Sequence, residues 1–393
     1  MIHSQIIITN YRGKICSFLM NEQHIERLQV TDVKKNLISN IYLAKVKQIS
    51  KNLNAAFVEI ANGQKAFLPF EQIPLLTVTN RVNAENLQIG DELPVQFLKE
   101  AVKTKEPVVT ANLSLNGRYC VVSLKRDSAA LRYSKKLSEL TKQQIACYLE
   151  QDFPFSVMIR TRAEELSDFA PLKEEILSLS NTLQSILEKA KMRTCYSLLY
   201  ETQPGYLSFL NELPDKSYER IVTDIPEVYD ALLAKSAQKN LQQNVEISLY
   251  TDSYPLLKVH SLESKMQELF DRKIYLPSGA TLFIEPTEAM TVIDVNTGKC
   301  VQKKDKEEMI LKINLEAAWH IARQMILRNL SGIIIIDFIN MSSKNHKEEL
   351  MAYMRDLLKK DPIPCKLIDM TPLGLMEITR KKKQAPLSEQ FSS

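Results

Sequence analysis

Residues 281–296 read TLFIEPTEAMTVIDVN, residues 305–329 DKEEMILKINLEAAWHIARQMILRN, and residues 331–339 SGIIIIDFI. The first stretch is two apolar runs joined by a polar turn, which predicts a pair of strands. In the second, Ile310, Ile313, Ala317, Ile321 and Met325 recur at helical spacing. The third is a continuous apolar run, suited to a strand buried on both faces. Strand, helix and strand together predict a βαβ unit with a right-handed crossover.

Both strands of that unit give way to an aspartate, Asp294 in VIDVN and Asp337 in IIIIDF. Ligands of open α/β sheets gather outside the carboxyl ends of the strands, so the two carboxylates face one crevice. Two hard oxygen ligands suit Mg²⁺, which keeps several waters and binds through one or two carboxylates plus substrate phosphate. Mn²⁺ is open on the same grounds. Asn296 lies two residues beyond Asp294, so on a strand it shares that face and is placed to orient the carboxylate or touch phosphate. An aspartate at a strand end also closes an Asx-turn or caps a following helix, and this alternative stands beside the metal reading.

Downstream, KEELMAYMRDLLKK (347–360) reads as a helix, and CKLIDM with LMEITRKKK as a closing hairpin. Upstream, the first thirty residues alternate apolar and polar, an antiparallel meander with Asn10 and Gly13 in its first turn. From Asn40 to Leu115 come IYLAKVKQIS, AAFVEIA, the turn Asn62-Gly63, KAFLPF, ELPVQFLKEA and PVVTANLSL. Five short strands with an Asn-Gly hairpin predict a small closed barrel of the oligonucleotide-binding type. Phe57 and Phe67 flank that hairpin, placed either to stack on bases or to fill the barrel. Lys105 in KTKEP is a candidate backbone cation. Residues 123–155 read as mainly helical with a Lys-rich face. FSVMIRTRA then reads as a strand entering a polar turn, where Arg160 and Thr161 set a guanidinium fork beside a hydroxyl, a receptor for a phosphate end. A long helix follows, with Pro171 at its start.

At 393 residues the chain calls for two or three packed units. Its net charge of +4 is small, so a polyanion partner is held by local cations and not by the overall field. The six cysteines, Cys16, Cys120, Cys147, Cys195, Cys300 and Cys365, show no CxxC pair, and reduced, mostly structural thiols are expected. With no signal-like start and no apolar run of membrane length, the chain reads as cytoplasmic.

Taken together these segments resemble the ribonuclease E/G family over nearly the whole chain. The resemblance is carried by residues 271–299, DRKIYLPSGATLFIEPTEAMTVIDVNTGK, by residues 314–341, by the barrel segment 40–69, and by SVMIRTRA (156–163). It implies an α+β multidomain fold. An S1-type oligonucleotide-binding barrel (36–118) is inserted in an RNase H-like subdomain (1–35 and 206–269), followed by a 5′-sensor region (119–205) and a C-terminal α/β, DNase I-like catalytic domain (270–393). It implies a magnesium-dependent endoribonuclease cutting single-stranded RNA in RNA processing and messenger decay, leaving 5′-phosphate and 3′-hydroxyl ends. Asp294 and Asp337 would hold the metal, with Asn296 assisting. Phe57, Phe67 and Lys105 would contact RNA, and Arg160 and Thr161 the RNA 5′-phosphate.

Members of the family usually continue into a paired-cysteine zinc link and a small terminal domain. Residues 384–393 carry no such cysteines, so zinc is not expected, and an oligomer, if formed, is expected by another route. The further arginine that relatives add to the 5′ pocket is not evident in residues 362–366, so weak sensing of a 5′-monophosphate is expected. Two alternatives remain open at this point: an RNA-binding protein with weak or lost turnover, and a metal phosphoesterase for small nucleotides.

Overall fold

The computed structural model describes residues 4–32, 38–82, 84–99, 106–124, 131–149, 153–214, 216–237, 241, 245–297 and 306–392. The chain forms two compact units, one of residues 1–30 and 218–393, the other of residues 31–217.

It opens with the expected meander, β1 (Ser4–Tyr11), β2 (Lys14–Asn21) and β3 (His24–Thr31). The first turn places Gly13 at φ 78°, where a side chain is disfavoured, and its N–H donates to Asn10 Oδ1 at 3.0 Å.

The second unit begins with β4 (Ile41–Ser50), β5 (Ala55–Glu59), β6 (Lys65–Pro69), β7 (Glu92–Lys99) and β8 (Val108–Thr110). They run in the order β4-β5-β6-β8-β7, and β7 pairs back onto β4 to close the ring. Among the described residues of the barrel only the β6–β8 pairing is parallel, as in an oligonucleotide-binding barrel. A bulge between Val46 and Gln48 bends β4 so that it serves both neighbours. Val46, Val58, Leu68, Leu93, Val95, Phe97 and Val109 fill the interior.

The stretch PVVTANLSL, expected as one strand, is two. Thr110 Oγ1 and the N–H groups of Ala111 and Asn112 all donate to the Gln72 carbonyl, which draws the chain off the barrel. It re-enters a second sheet as β9 (Ser114–Asn116), joined by β10 (Cys120–Ser123), β11 (Leu131–Tyr133) and β12 (Ser156–Ile159) in the order β11-β12-β10-β9. The helical expectation for residues 123–155 holds, among the described residues, only for α1 (Glu139–Leu149). Parallel pairing of β11 with β12 overrides local propensity before it. Helix α2 (Ala170–Met192), with Pro171 in its first turn, buries Leu172, Ile176, Leu183 and Ile186 in the core shared with β10 and β12. Strand β13 (Leu198–Tyr200) edges the barrel at β4, and α3 (Gly205–Glu212) follows.

The first unit resumes with β14 (Arg220–Thr223), α4 (Pro226–Ala237) and β15 (Glu246–Leu249). Both strands add in parallel beside β1, giving the order β15-β14-β1-β2-β3 of an RNase H-like sheet. Two short helices, α5 (Leu256–Val259) and α6 (Leu262–Glu268), lead into the last sheet.

That sheet comprises β16 (Lys273–Tyr275), β17 (Thr281–Pro286), β18 (Met290–Asn296), β19 (Gly332–Asp337), β20 (Cys365–Met370) and β21 (Leu375–Arg380), in the order β16-β17-β18-β19-β21-β20. Helix α7 (Lys306–Leu327) is the βαβ crossover, α8 (Lys344–Lys359) follows β19, and α9 (Leu387–Gln390) comes last. Ile310, Ile313, Ala317, Ile321 and Met325 of α7 and Leu350 and Met354 of α8 pack on Leu282, Ile284, Ile293, Val295, Ile334, Ile336 and Ile378. One expectation is corrected here. The Ile333–Ile336 run is buried on one face only, since α7 and α8 cover a single face and alternate residues point away from it; Ile333 stays 47% exposed.

Candidate active site

In the parallel β18–β19 ladder Asp294 stands directly opposite Asp337. Adjacent strands lie about 4.8 Å apart, so the two side chains leave the open face as near neighbours. Asp294 is half-buried and alternates with the buried Ile293 and Val295, while Asp337 is exposed at the last position of its strand. Asn296 Nδ2 donates to Asp294 Oδ2 at 2.6 Å, which fixes the rotation of that carboxylate.

Asp337 is steadied from behind. The segment after it is held by Asn314, a fully buried amide of α7, which donates to the Ile339 carbonyl at 2.8 Å and accepts the Ile339 N–H at 3.1 Å. Glu307, in the first turn of the same helix, accepts the N–H groups of Ser343 at 2.8 Å and Ser342 at 2.6 Å. The Ser343 bond foremost, aided by that of Ser342, holds the Glu307 carboxyl below the ordinary glutamate range, against a smaller opposing effect of burial. Neither residue stands out in the sequence as part of a metal site. Asn314 did carry a signal, being a polar residue on the apolar stripe of an amphipathic helix. Among the described residues no group of three or more His, Cys, Asp or Glu side chains converges as a cation cage. The donor set at Asp294 and Asp337 is two carboxylates on an open face, which fits an ion that keeps most of its water, as Mg²⁺ does.

The barrel carries Phe57 directly opposite Phe67, with ring centroids 5.6 Å apart at 63°. Both are half-buried and alternate with the interior residues Ala56, Val58, Ala66 and Leu68, so they sit on the outer wall and do not fill the barrel. Lys105 lies outside the described residues; Pro107, two positions on, accepts the Phe67 N–H at 2.8 Å. Beside the pair, Glu59 Oε2 accepts Tyr196 Oη and Lys47 Nζ, each at 2.6 Å. The Lys47 bond, then the Tyr196 bond, lowers the Glu59 carboxyl. Tyr196 adopts φ 72°, an uncommon position for a tyrosine. This trio was not singled out from sequence, because Tyr196 meets Glu59 from 137 residues away.

Arg160 and Thr161 sit where β12 enters its turn, and their side chains take different partners. Arg160 donates to the Gly117 carbonyl at 2.7 Å, and Thr161 Oγ1 shares a 2.8 Å hydrogen bond with Ser134 Oγ. Next to them the backbone N–H groups of Arg118, Tyr119 and Cys120 converge on the Glu175 carboxylate of α2, at 2.5, 2.8 and 3.1 Å. A Cβ at Gly117 would crowd the Glu175 carboxyl group, so a side chain there would have to displace that carboxylate. Burial lowers the Arg162 guanidinium, and the charges of Arg118 and Arg160 add to the effect, so three arginines cluster here.

A closed oligonucleotide-binding barrel in one unit and paired carboxylates at strand ends in the other describe a chain of the nucleic-acid-processing class. Sequence comparison narrows the class. Residues 38–111 match the S1 RNA binding domain and residues 114–383 the ribonuclease E/G family. Ribonuclease G of Escherichia coli is 30% identical over 377 residues, covering 93% of this chain and 76% of that protein. Ribonuclease G of Haemophilus influenzae is 29% identical over 94% of this chain and 76% of its own length. Ribonuclease E of Synechocystis is 30% identical over 90% of this chain and 53% of its own length. The chain belongs to the ribonuclease E/G family.

Proposed function

We propose that the chain is a magnesium-dependent endoribonuclease that hydrolyses phosphodiester bonds of single-stranded RNA in RNA processing and messenger decay, leaving 5′-phosphate and 3′-hydroxyl ends. The enzyme class follows from the family. The observation that carries the metal reading is the pairing of Asp294 with Asp337 across adjacent parallel strands, with Asn296 bonded to Asp294. Bound there, Mg²⁺ or Mn²⁺ supplies Lewis-acid polarisation of the phosphodiester and lowers the pKa of an attacking water.

The protein's own part is positional. Asp294 and Asp337 supply hard oxygens from two elements whose separation the ladder fixes. Asn296 keeps one carboxylate turned outward, and α7 keeps the other strand end from swinging. In the second unit, Phe57 and Phe67 offer ring faces for bases and Lys105 a backbone cation, while Arg160 and Thr161 receive the 5′ end. The division of labour is the one the resemblance implies, with the barrel at 36–118, the end-sensing region at 119–205, the RNase H-like pieces at 1–35 and 206–269, and catalysis at 270–393. Among the described residues no helix is long and apolar enough to cross a membrane. We place the activity in the cytoplasm.

The test is cleavage of an A/U-rich single strand with and without Mg²⁺, by the chain and by Asp294→Asn. Loss of cutting with retained RNA binding in the variant is expected. Cutting within a few-fold of the parent chain removes Asp294 from the site.

A further inference from the structure

The row of facing residues continues past the two aspartates. Across β16, β17, β18 and β19, Lys273 pairs with Phe283, Phe283 with Asp294, and Asp294 with Asp337. Directly opposite residues project to the same side of a sheet, so Lys273 and Phe283 extend the open face that carries the carboxylates. Tyr275, two residues beyond Lys273, shares that face and is 72% exposed. Lys273 Nζ lies 4.7 Å from the Tyr275 ring centroid and 5.4 Å from that of Phe283, a cation set between two rings. At one strand spacing per step, Phe283 stands about 5 Å from Asp294 and Lys273 about 10 Å, with Tyr275 two residues farther along its strand.

We propose that Tyr275, Lys273 and Phe283 form a subsite for the nucleotide that flanks the scissile phosphate. Tyr275 stacks the base, Lys273 holds the neighbouring phosphate, and Phe283 floors the ledge beside Asp294. Exposed aromatics with an interleaved cation are the features that single-stranded nucleic acid recognises, and a ring accepts every base. The ledge therefore positions the strand without reading a sequence, and its loss should raise KM more than it lowers kcat. The inference rests on Asp294 and Asp337 being the metal site.

The test uses the full chain and a single-site RNA oligonucleotide in which one abasic residue is walked through the positions flanking the cut. Tyr275→Ala is expected to raise KM roughly tenfold, the scale of one stacked base, with kcat little changed. Tyr275→Phe should restore KM, and Lys273→Ala should raise it and flatten its salt dependence. An abasic residue at one flanking position should penalise the parent chain and add nothing in Tyr275→Ala. Unchanged KM in both alanine variants overturns the proposal. So does an abasic penalty that persists undiminished in Tyr275→Ala. Loss of self-association with KM intact also overturns it, assigning the ledge to a second copy of the chain. Asp294→Asn separates the two levels: if it still cuts, the metal reading fails and this inference with it; if it is dead while Tyr275→Ala is unaffected, only the ledge fails. Melting curves of Tyr275→Ala check folding, which the exposure of that ring should leave intact.

Discussion

Asp337→Asn should make the metal-free protein slightly more stable and the enzyme inactive. Two carboxylates project from neighbouring strands about 4.8 Å apart, and Asp337 is exposed, so their repulsion is screened almost as in water and amounts to about 1 kcal/mol. Removing one charge is expected to raise the thermal midpoint in EDTA by about 2–4 °C at most, the usual scale for that energy in a unit of this size. With Mg²⁺ the order reverses. An ion that binds only the folded state adds RT ln(1 + [L]/Kd), about 2.7 kcal/mol at a hundred times Kd, and the variant lacks one of the two carboxylates proposed to hold it. The parent chain should therefore gain stability with Mg²⁺ and overtake Asp337→Asn, while cleavage of a single-stranded RNA is nearly abolished in the variant. Paired melts in EDTA and in excess Mg²⁺, with single-turnover cleavage on the same samples, provide the measurement. A parent chain whose midpoint ignores Mg²⁺, or an Asp337→Asn that cuts within a few-fold of it, refutes the reasoning.

Phe57→Ala and Phe67→Ala should each weaken RNA binding by roughly 1–3 kcal/mol with little change in melting, because both rings lie on the outer wall; lower melting with unchanged affinity would make them packing residues. Arg160→Ala should slow cutting of 5′-monophosphorylated RNA and spare 5′-hydroxylated RNA, by roughly 1.5–3 kcal/mol at most for one charged hydrogen bond; equal slowing on both would make Arg160 structural, through its bond to Gly117. Glu307→Gln should be destabilising at neutral pH. The folded-state carboxyl is depressed, so its contribution is present above the ordinary value of 4.5 and lost as pH falls through the folded value. The difference between parent and variant urea midpoints should then shrink toward zero below pH 4.5, and a difference that is constant with pH counts against the assignment. Asn314→Ala should cost roughly 2–4 kcal/mol of stability, from two lost hydrogen bonds and an Ile339 backbone left unsatisfied; a urea midpoint within error of the parent's would mean that the segment after β19 holds itself.

What the sequence reveals and what it hides divide by range. The βαβ unit was legible because its signals are local, a five-residue helical stripe and apolar runs ending in Asp294 and Asp337. The barrel was legible for the same reason, as short strands with an Asn-Gly turn. Parity along β18 also placed Asn296 beside Asp294, and the structure makes that contact a hydrogen bond. Long-range partners were not legible. Nothing near residue 175 announces that its carboxylate gathers three N–H groups from residues 118–120, and nothing near Tyr196 points to Glu59. The Ile333–Ile336 run shows a further limit, because four isoleucines look alike whether one face or two are covered, and only the placement of α7 and α8 decides.

The two carboxylates are not equivalent, and the difference lies in what holds each. Asp294 sits two residues inside its strand, with ladder pairing on both sides and Asn296 on its carboxylate, so its direction is set by the sheet. Asp337 ends its strand, and beyond it the chain is fixed by two polar side chains of α7, the helix whose apolar stripe fills the core beneath. One helix thus supplies both the packing energy of the sheet and the restraint on one of the two carboxylates proposed to hold the metal. Loosening α7 should act on Asp337 before Asp294, so metal affinity and turnover should fall with the segment after β19 while the sheet still stands.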